Sequence, residues 1–166
     1  MNTRPRQTDR GSRSVALVPG VPALLPSYAS LEDPVGSLRA ACLAAVAALG
    51  PRVRVVASGP SGARVAESLV AAVGADVVAE GETGVLVVGN GSAKRTEKAP
   101  GHFDERAEAF DASLRESFGG IDAALAADLW ADTACLAGLP PLAEAAVTYD
   151  DAPFGVQYWV ATWDVA

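Results

Sequence analysis

VLVVGNGSAKRTEKAPGHFD, residues 85–104, joins a wholly apolar run to a long polar loop that leads into a helical pattern. The apolar run 85–88 is bounded by glycines, which is typical of a strand that is buried on both faces. α/β proteins place ligand chemistry where such a strand ends in a loop before a helix. The 89–104 loop is therefore the first candidate for a functional site.

Strands and helices alternate on both sides of this segment. Apolar and β-branched runs predict strands at 15–18, 53–57, 76–79, 85–88, 148–149 and 156–163. Apolar residues at helical spacing predict helices at 34–49, 63–73 and 103–114, and two Ala/Leu-rich helices within 121–146. This alternation predicts an α/β fold, a three-layer sandwich around a mainly parallel sheet, which becomes mixed if the final strand runs antiparallel.

The chain of 166 residues is long enough for one domain with a substantial core. Residues 1–14 carry four arginines and predict a disordered tail, and residues 15–166 predict a single α/β domain. No apolar run approaches the ~20 residues that a membrane helix needs. The chain also shows no signal-peptide pattern, so we expect a cytoplasmic protein that does not contact a membrane.

The formal net charge is −7. The arginine-rich tail contributes +3 through its four arginines and Asp9, which leaves −10 for the remaining residues. No lysine or arginine follows Arg115, whereas eight acidic residues do. Because nucleic-acid binding depends on cations that meet phosphates, this charge distribution argues against a nucleic-acid partner.

The 89–104 loop has the chemistry of a small-anion site. Its glycines let backbone N–H groups approach a ligand, and its three cations supply positive charge. The candidate ligand-binding residues are Asn90, Ser92, Lys94, Arg95, Thr96 and Lys98. The spacing matches neither a Walker A motif nor the Gly-x-Gly-x-x-Gly motif of dinucleotide sites. The alternative is that the loop charges pair with local acids and fix the shape of the loop.

Candidate catalytic groups are few. His102 is the only histidine, which excludes any site that needs two histidines. Cys42 and Cys135 stand far apart in helical contexts and predict neither a zinc site nor a disulfide, so we expect no metal and no cofactor. Asp150 and Asp151 could take part in proton transfer, as could His102. The two aspartates could instead bind the cationic loop through a salt bridge.

Three segments resemble a known family: LVPGVPALLP at 17–26, the block 89–111, and YDDAPFGVQY at 149–158. They are similar to actinobacterial proteins related to the catalytic subunit of class III extradiol ring-cleavage dioxygenases, the LigB-like superfamily. In that superfamily the first strand typically ends in Pro-His, and the histidine binds non-haem iron. The matching pair here is Pro19-Gly20, and the turn 58–62, which matches the region of a second ligand, has no histidine. The resemblance thus implies a LigB-like α/β sandwich without the iron site.

The resulting hypothesis is a pseudoenzyme, a LigB-like domain that is non-catalytic or binds a small anion through the 89–104 loop. One alternative is a metal-independent transferase or hydrolase in which the loop cations position an anionic substrate. Another alternative is a homo-oligomeric interaction module. Tyr158, Trp159 and Trp163 lie on one predicted strand, and an aromatic face left exposed there would suggest a contact between copies.

Overall fold

The computed structural model describes residues 13–25 and 35–165. Six strands lie in this part of the chain: β1 (Arg13–Val18), β2 (Arg52–Val56), β3 (Asp76–Val77), β4 (Gly84–Val88), β5 (Ala146–Asp151) and β6 (Tyr158–Val165). It also contains four α-helices: α1 (Gly36–Ala47), α2 (Pro60–Ala72), α3 (Ala107–Glu116) and α4 (Ala123–Asp128). Two 3₁₀ helices lie at Pro22–Leu24 and Leu142–Glu144. None of the helices in these residues is long and apolar enough to cross a membrane.

The six strands form one mixed sheet in the order β3-β2-β4-β1-β6-β5. β2 pairs in parallel with β3 and β4, and β4 pairs in parallel with β1. β6 runs antiparallel to both β1 and β5. The predicted α/β fold, with a largely parallel sheet and an antiparallel last strand, is confirmed. Since β1, β4 and β5 run in one direction, their carboxyl ends meet at one edge of the sheet, which we name the carboxyl edge.

The core lies on both faces of the sheet, because successive residues of a strand point to opposite faces. On one face, Val18 of β1 belongs to a cluster with Cys42 of α1 and Leu69 of α2. On the other face, Leu17 belongs to a cluster with Phe110 of α3 and side chains of α4. The helices therefore form two layers, one on each side of the sheet.

The aromatic residues of β6 belong to this core. Tyr158, Trp159 and Trp163 are all buried, Tyr158 towards α1 and α2 and the two tryptophans towards α3. Burial raises the pKa of Tyr158 to about 12. In the described part of the chain, β6 therefore has no exposed aromatic face, and a homo-oligomer stays a prediction without that support.

Some predicted boundaries differ from the structure. β1 begins at Arg13, so Arg13 and Ser14 belong to the sheet and not to the predicted tail. Residues 1–12, and the predicted helix start at Asp33 and Pro34, lie outside the described residues. β5 spans Ala146–Asp151, and thus extends beyond the strand predicted at 148–149 and includes both Asp150 and Asp151.

Within 121–146, the prediction of two Ala/Leu-rich helices holds only in part, because the first is the short α4 and the second is the 3₁₀ helix Leu142–Glu144. α4 ends at Asp128, and Trp130 adopts a left-handed backbone conformation with φ of 57°. Asp132 and Asn90 then exchange two backbone N–H···O hydrogen bonds of 3.0 and 3.1 Å. Packing and hydrogen bonding to the 89–104 loop outweigh helix propensity here, because propensity differences among ordinary residues are below about 1 kcal/mol each.

Candidate functional site

The 89–104 loop leaves β4 at the carboxyl edge and is tied to its neighbours by backbone hydrogen bonds. Gly89 N donates to Val18 O at the end of β1, over 3.1 Å. Gly91 N donates to Gln157 O, and Gln157 N donates to Ser92 O, each over 2.9 Å. The loop therefore follows the edge of the sheet from β1 to the start of β6, which fixes where its side chains lie.

A buried carboxylate on α3 anchors the first part of the loop. Asp111 is fully buried and accepts hydrogen bonds from Ser92 N and Ser92 Oγ, both over 2.7 Å, and from Arg95 Nη1 over 3.3 Å. Burial raises the pKa of Asp111, and the bonds from Ser92 and Arg95 oppose that rise. Gly91 permits this approach, since a Cβ there would lie 2.5 Å from Asp111 Oδ1.

Gln157 joins the Asp111 anchor to a second ion pair. Its Oε1 accepts from Arg95 Nη1 and from Arg115 Nη2, each over 3.0 Å. Its Nε2 donates to Asp150 Oδ1 over 2.7 Å. One buried amide therefore links the loop, α3 and β5. We name the side chains of Ser92, Arg95, Asp111, Arg115, Asp150 and Gln157 the edge network.

The second ion pair of the edge network joins α3 to β5. Arg115 donates from Nε and Nη2 to the two carboxylate oxygens of Asp150, both over 2.9 Å. Burial tends to raise the pKa of Asp150, but the hydrogen bonds and charge of Arg115 lower it overall. The same pair raises the pKa of Arg115. Asp111 and Arg115 are four residues apart, a spacing that predicts an ion pair between them on the exposed side of the helix. That prediction is wrong, because both side chains have tertiary partners.

The cationic loop and the aspartates meet only indirectly. Among the described residues, the ion-pair partner of Asp150 is Arg115, and Gln157 connects that pair to Arg95. Asp151 accepts a hydrogen bond from Ala152 N over 2.7 Å at the start of the turn that follows β5, and Gly155 N closes that turn by donating to Ala152 O over 3.1 Å. The predicted direct salt bridge between the loop cations and these aspartates is thus replaced by an amide bridge.

The other predicted loop residues have separate surroundings. The ammonium of Lys94 lies 5.3 Å from the ring centroid of Trp130. Asn90 donates from Nδ2 to Gly91 O over 3.0 Å. His102 is exposed and has a left-handed backbone with φ of 61°. No hydrogen bond or ion pair within the described ranges joins His102 to either aspartate, so the three predicted catalytic candidates do not form one cluster.

Thr96 and Lys98 line an open cavity of about 570 Å³ with Glu97, Pro153 and Phe154. This cavity, here named the loop cavity, lies where the 89–104 loop meets the turn between β5 and β6. Arg95 N donates to Gly155 O over 3.0 Å and holds the two segments together. Phe154 is 39% exposed and adds an apolar surface to a cavity that Lys98 and Thr96 also line. The arrangement suits a small molecule that combines an anionic group with an apolar body.

Comparisons with protein-family models, with curated proteins and with solved structures gave no match. Within residues 13–25 and 35–165, no three or more His, Cys, Asp or Glu side chains are grouped to hold a metal ion. At Gly20, where the resemblance implies a ligand in other proteins, a Cβ would lie 2.9 Å from Val88 Cγ1 and 3.2 Å from Gly62 Cα. A side chain at position 20 would therefore require the first turn of α2 to move.

Asp111, Arg115 and Gln157 are the site residues that the sequence prediction missed. Gln157 is a single polar residue at the start of an apolar run, a position where a buried hydrogen-bonding role is typical. Asp111 lies between Ala107 and Leu114 on the buried side of α3. These two positions could have indicated that Gln157 and Asp111 are buried and form hydrogen bonds, although neither position indicates the residues to which they bond.

Proposed function

We propose that this chain is a cytoplasmic LigB-like domain that has lost the iron site and binds a small anionic molecule without catalysing its conversion. The observation that carries the proposal is the loop cavity, in which Lys98, Thr96 and Phe154 face the same space. Its volume of about 570 Å³ falls within the roughly 300–1,000 Å³ range of small-molecule sites.

The three loop cations have different roles, and Lys98 is the one open to a ligand. Arg95 binds Asp111 and Gln157, and Lys94 covers the ring of Trp130. Among the described residues, none forms an ion pair or hydrogen bond with the Lys98 ammonium. A cation without a protein partner, beside a hydroxyl, favours a carboxylate or phosphate ligand.

Glu97 and Phe154 narrow the class of anion. The Glu97 carboxylate borders the loop cavity and disfavours a dianion, since like charges at one site repel each other. An apolar group on the ligand would bury the aromatic surface of Phe154, which favours binding. We therefore expect a monocarboxylate with an aromatic or alkyl body, and we expect inorganic phosphate to bind more weakly.

The loss of the iron site is supported by the packing around Gly20. The resemblance places an iron-binding histidine at this position in other proteins, and here the Val88 side chain and the backbone at Gly62 would have to shift to admit a Cβ. Isothermal titration with Fe²⁺, Mn²⁺ and Zn²⁺ tests this part of the proposal. Stoichiometric binding of any of them with Kd below about 1 μM would overturn it.

The anion site is tested by titration with benzoate, acetate and inorganic phosphate. Benzoate is expected to bind with one-to-one stoichiometry and more tightly than the other two. Lys98→Ala should raise the Kd of benzoate by about two- to fivefold, the contribution of one exposed ion pair. Lys94→Ala is the matched control, a cation of the same loop that lies outside the loop cavity. Equal losses in the two variants, or no benzoate binding, would contradict the proposal.

A further inference from the structure

A second cavity, of about 620 Å³, lies between α3 and residues 117–125. We name it the helix groove. Its apolar floor includes Phe110 and Leu114 of α3, and Ile121 and Leu125 line it from the neighbouring segment. No residue of the edge network or of the loop cavity lines it, so it is a separate feature of the fold.

Along α3, the groove is lined by small side chains with a carboxylate at each end. Ala109, Ser113 and Glu116 follow one another at spacings of four and three residues, which places them on one side of α3, and Glu105 lies in the turn that precedes the helix. Ala109 and Ser113 leave space above the floor. At ~1.5 Å per residue, α3 spans about 14 Å from Ala107 to Glu116, and Glu105 lies two residues before its start.

The charge of the helix groove is negative at both ends. Asp122 adds a third carboxylate, from the wall opposite α3. Arg106 is the cation of the lining, and its guanidinium already pairs with Asp104 over 2.9 Å and with Asp128 over 3.7 Å. Both of these acids lie outside the lining, and the charge of Glu105, within the lining, also acts on Arg106. Arg106 is thus one cation among three acids that act on it, and this end of the groove stays negative.

We infer that the helix groove binds an elongated organic dication, an α,ω-diamine with an aliphatic body. Each ammonium would meet the carboxylate at one end, and the methylene chain would cover Phe110 and Leu114. A monoamine can use one end of the groove only, whereas an uncharged diol gains neither ion pair. The inference is independent of the anion site, since the two cavities share no lining residue.

Binding of 1,8-diaminooctane, 1,4-diaminobutane, 1-aminooctane and 1,8-octanediol to the full chain tests this inference. We expect 1,8-diaminooctane to bind with one-to-one stoichiometry and about two- to fivefold more tightly than 1-aminooctane, which is the contribution of one further exposed ion pair. The short diamine and the diol should bind more weakly than either. Equal affinities for the diamine and the monoamine would overturn the two-ended site.

Matched variants of α3 locate the bound diamine. Ser113→Trp fills the groove and should abolish binding, whereas Ala112→Trp, at an exposed position outside the lining, should leave it unchanged. If Ser113→Trp does not fold, Ala109→Trp supplies the same test. Glu116→Gln should remove the advantage of the diamine over the monoamine, and Glu108→Gln, outside the groove, should preserve it. Unchanged diamine binding in a folded groove-filling variant would overturn the inference.

Discussion

Arg115 and Asp150 form a bidentate ion pair, with two N–H···O hydrogen bonds of 2.9 Å, between α3 and the outermost strand β5. Gln157 donates to the same aspartate and accepts from the same arginine. The pair is therefore one half of a network whose other half, Asp111 with Ser92 and Arg95, determines the position of the 89–104 loop. Stability and loop structure should consequently depend on the same residues.

Replacement of Asp111 by Ala should destabilise the fold by about 3 kcal/mol, because it leaves the buried Ser92 hydroxyl without its acceptor and removes the charged partner of Arg95, which keeps only the Gln157 oxygen. Urea denaturation measures the change in the free energy of unfolding. Glu108→Ala, at an exposed position of the same helix, is the control and should change it by less than about 0.5 kcal/mol. Similar losses in both variants would show that the anchor contributes little.

Gly91→Ala should lower stability by about 1–3 kcal/mol, because an added methyl group would overlap a well-packed site. A Cβ at this position would lie 2.5 Å from Asp111 Oδ1 and 2.8 Å from Gln157 Cβ. Gly138→Ala is the control, since no atom lies within 4 Å of a Cβ there. Thermal unfolding of both variants checks the prediction, which fails if the two melting temperatures fall equally.

Gln157→Leu should loosen the 89–104 loop more than it changes the rest of the fold. The substitution keeps the side chain buried but removes the acceptor shared by Arg95 and Arg115 and the donor to Asp150. Hydrogen exchange followed by NMR should show faster exchange at the amides of the loop, with α2 unchanged. Equal acceleration in α2 and the loop would indicate global destabilisation and would contradict a specific role of Gln157.

The Arg115–Asp150 pair should contribute to the pH dependence of stability. The pKa of Asp150 is lower in the folded state than its ordinary value, so the unfolded state binds more protons as the pH falls. The stabilisation is present above the ordinary aspartate pKa of about 4 and is lost as the pH falls through the lower folded value. Asp150→Asn should therefore flatten the decline of stability on the acidic side of this range.

Arg115→Gln provides the control for this effect, because it removes the main cause of the lowered pKa. Adding Asp150→Asn to that variant should change the pH profile little, as expected when two substitutions remove the same interaction. Denaturation midpoints between about pH 3 and pH 6 measure the four profiles. Independent, additive effects of the two substitutions would refute the assignment.

The sequence predicts most of the fold because local patterns determine most of its elements. The apolar run of β4, and the apolar face of α3 that includes Phe110 and Leu114, can each be recognised from residues within a single strand or helix. Asp111 shows where such patterns fail. A local pair with Arg115 would contribute about 0.2–0.5 kcal/mol, whereas hydrogen bonds to charged groups contribute about 1.5–3 kcal/mol. Asp111 therefore binds its tertiary partners and not Arg115, and the spacing of residues in the sequence does not reveal those partners.

The sequence predicts where the 89–104 loop lies in the fold, but it does not predict what each residue of the loop contacts. The 89–104 loop does lie at the carboxyl edge, as a loop that follows a parallel strand should. Its cations look equivalent in the sequence, yet Arg95 is half-buried in the edge network while Lys98 is exposed at the loop cavity. Only the position of α3 and β6 relative to the loop separates these roles.

The place of β6 in the sheet has a consequence for synthesis on the ribosome. β6 follows the other described strands in sequence but lies between β1 and β5, and β5 pairs only with it among these strands. Chains emerge with the amino-terminal part first, so β5 leaves the exit tunnel before its partner does. Gln157 emerges equally late. A nascent chain can thus assemble β1 to β4 early, whereas the 89–104 loop acquires its final shape only after β6 has left the exit tunnel.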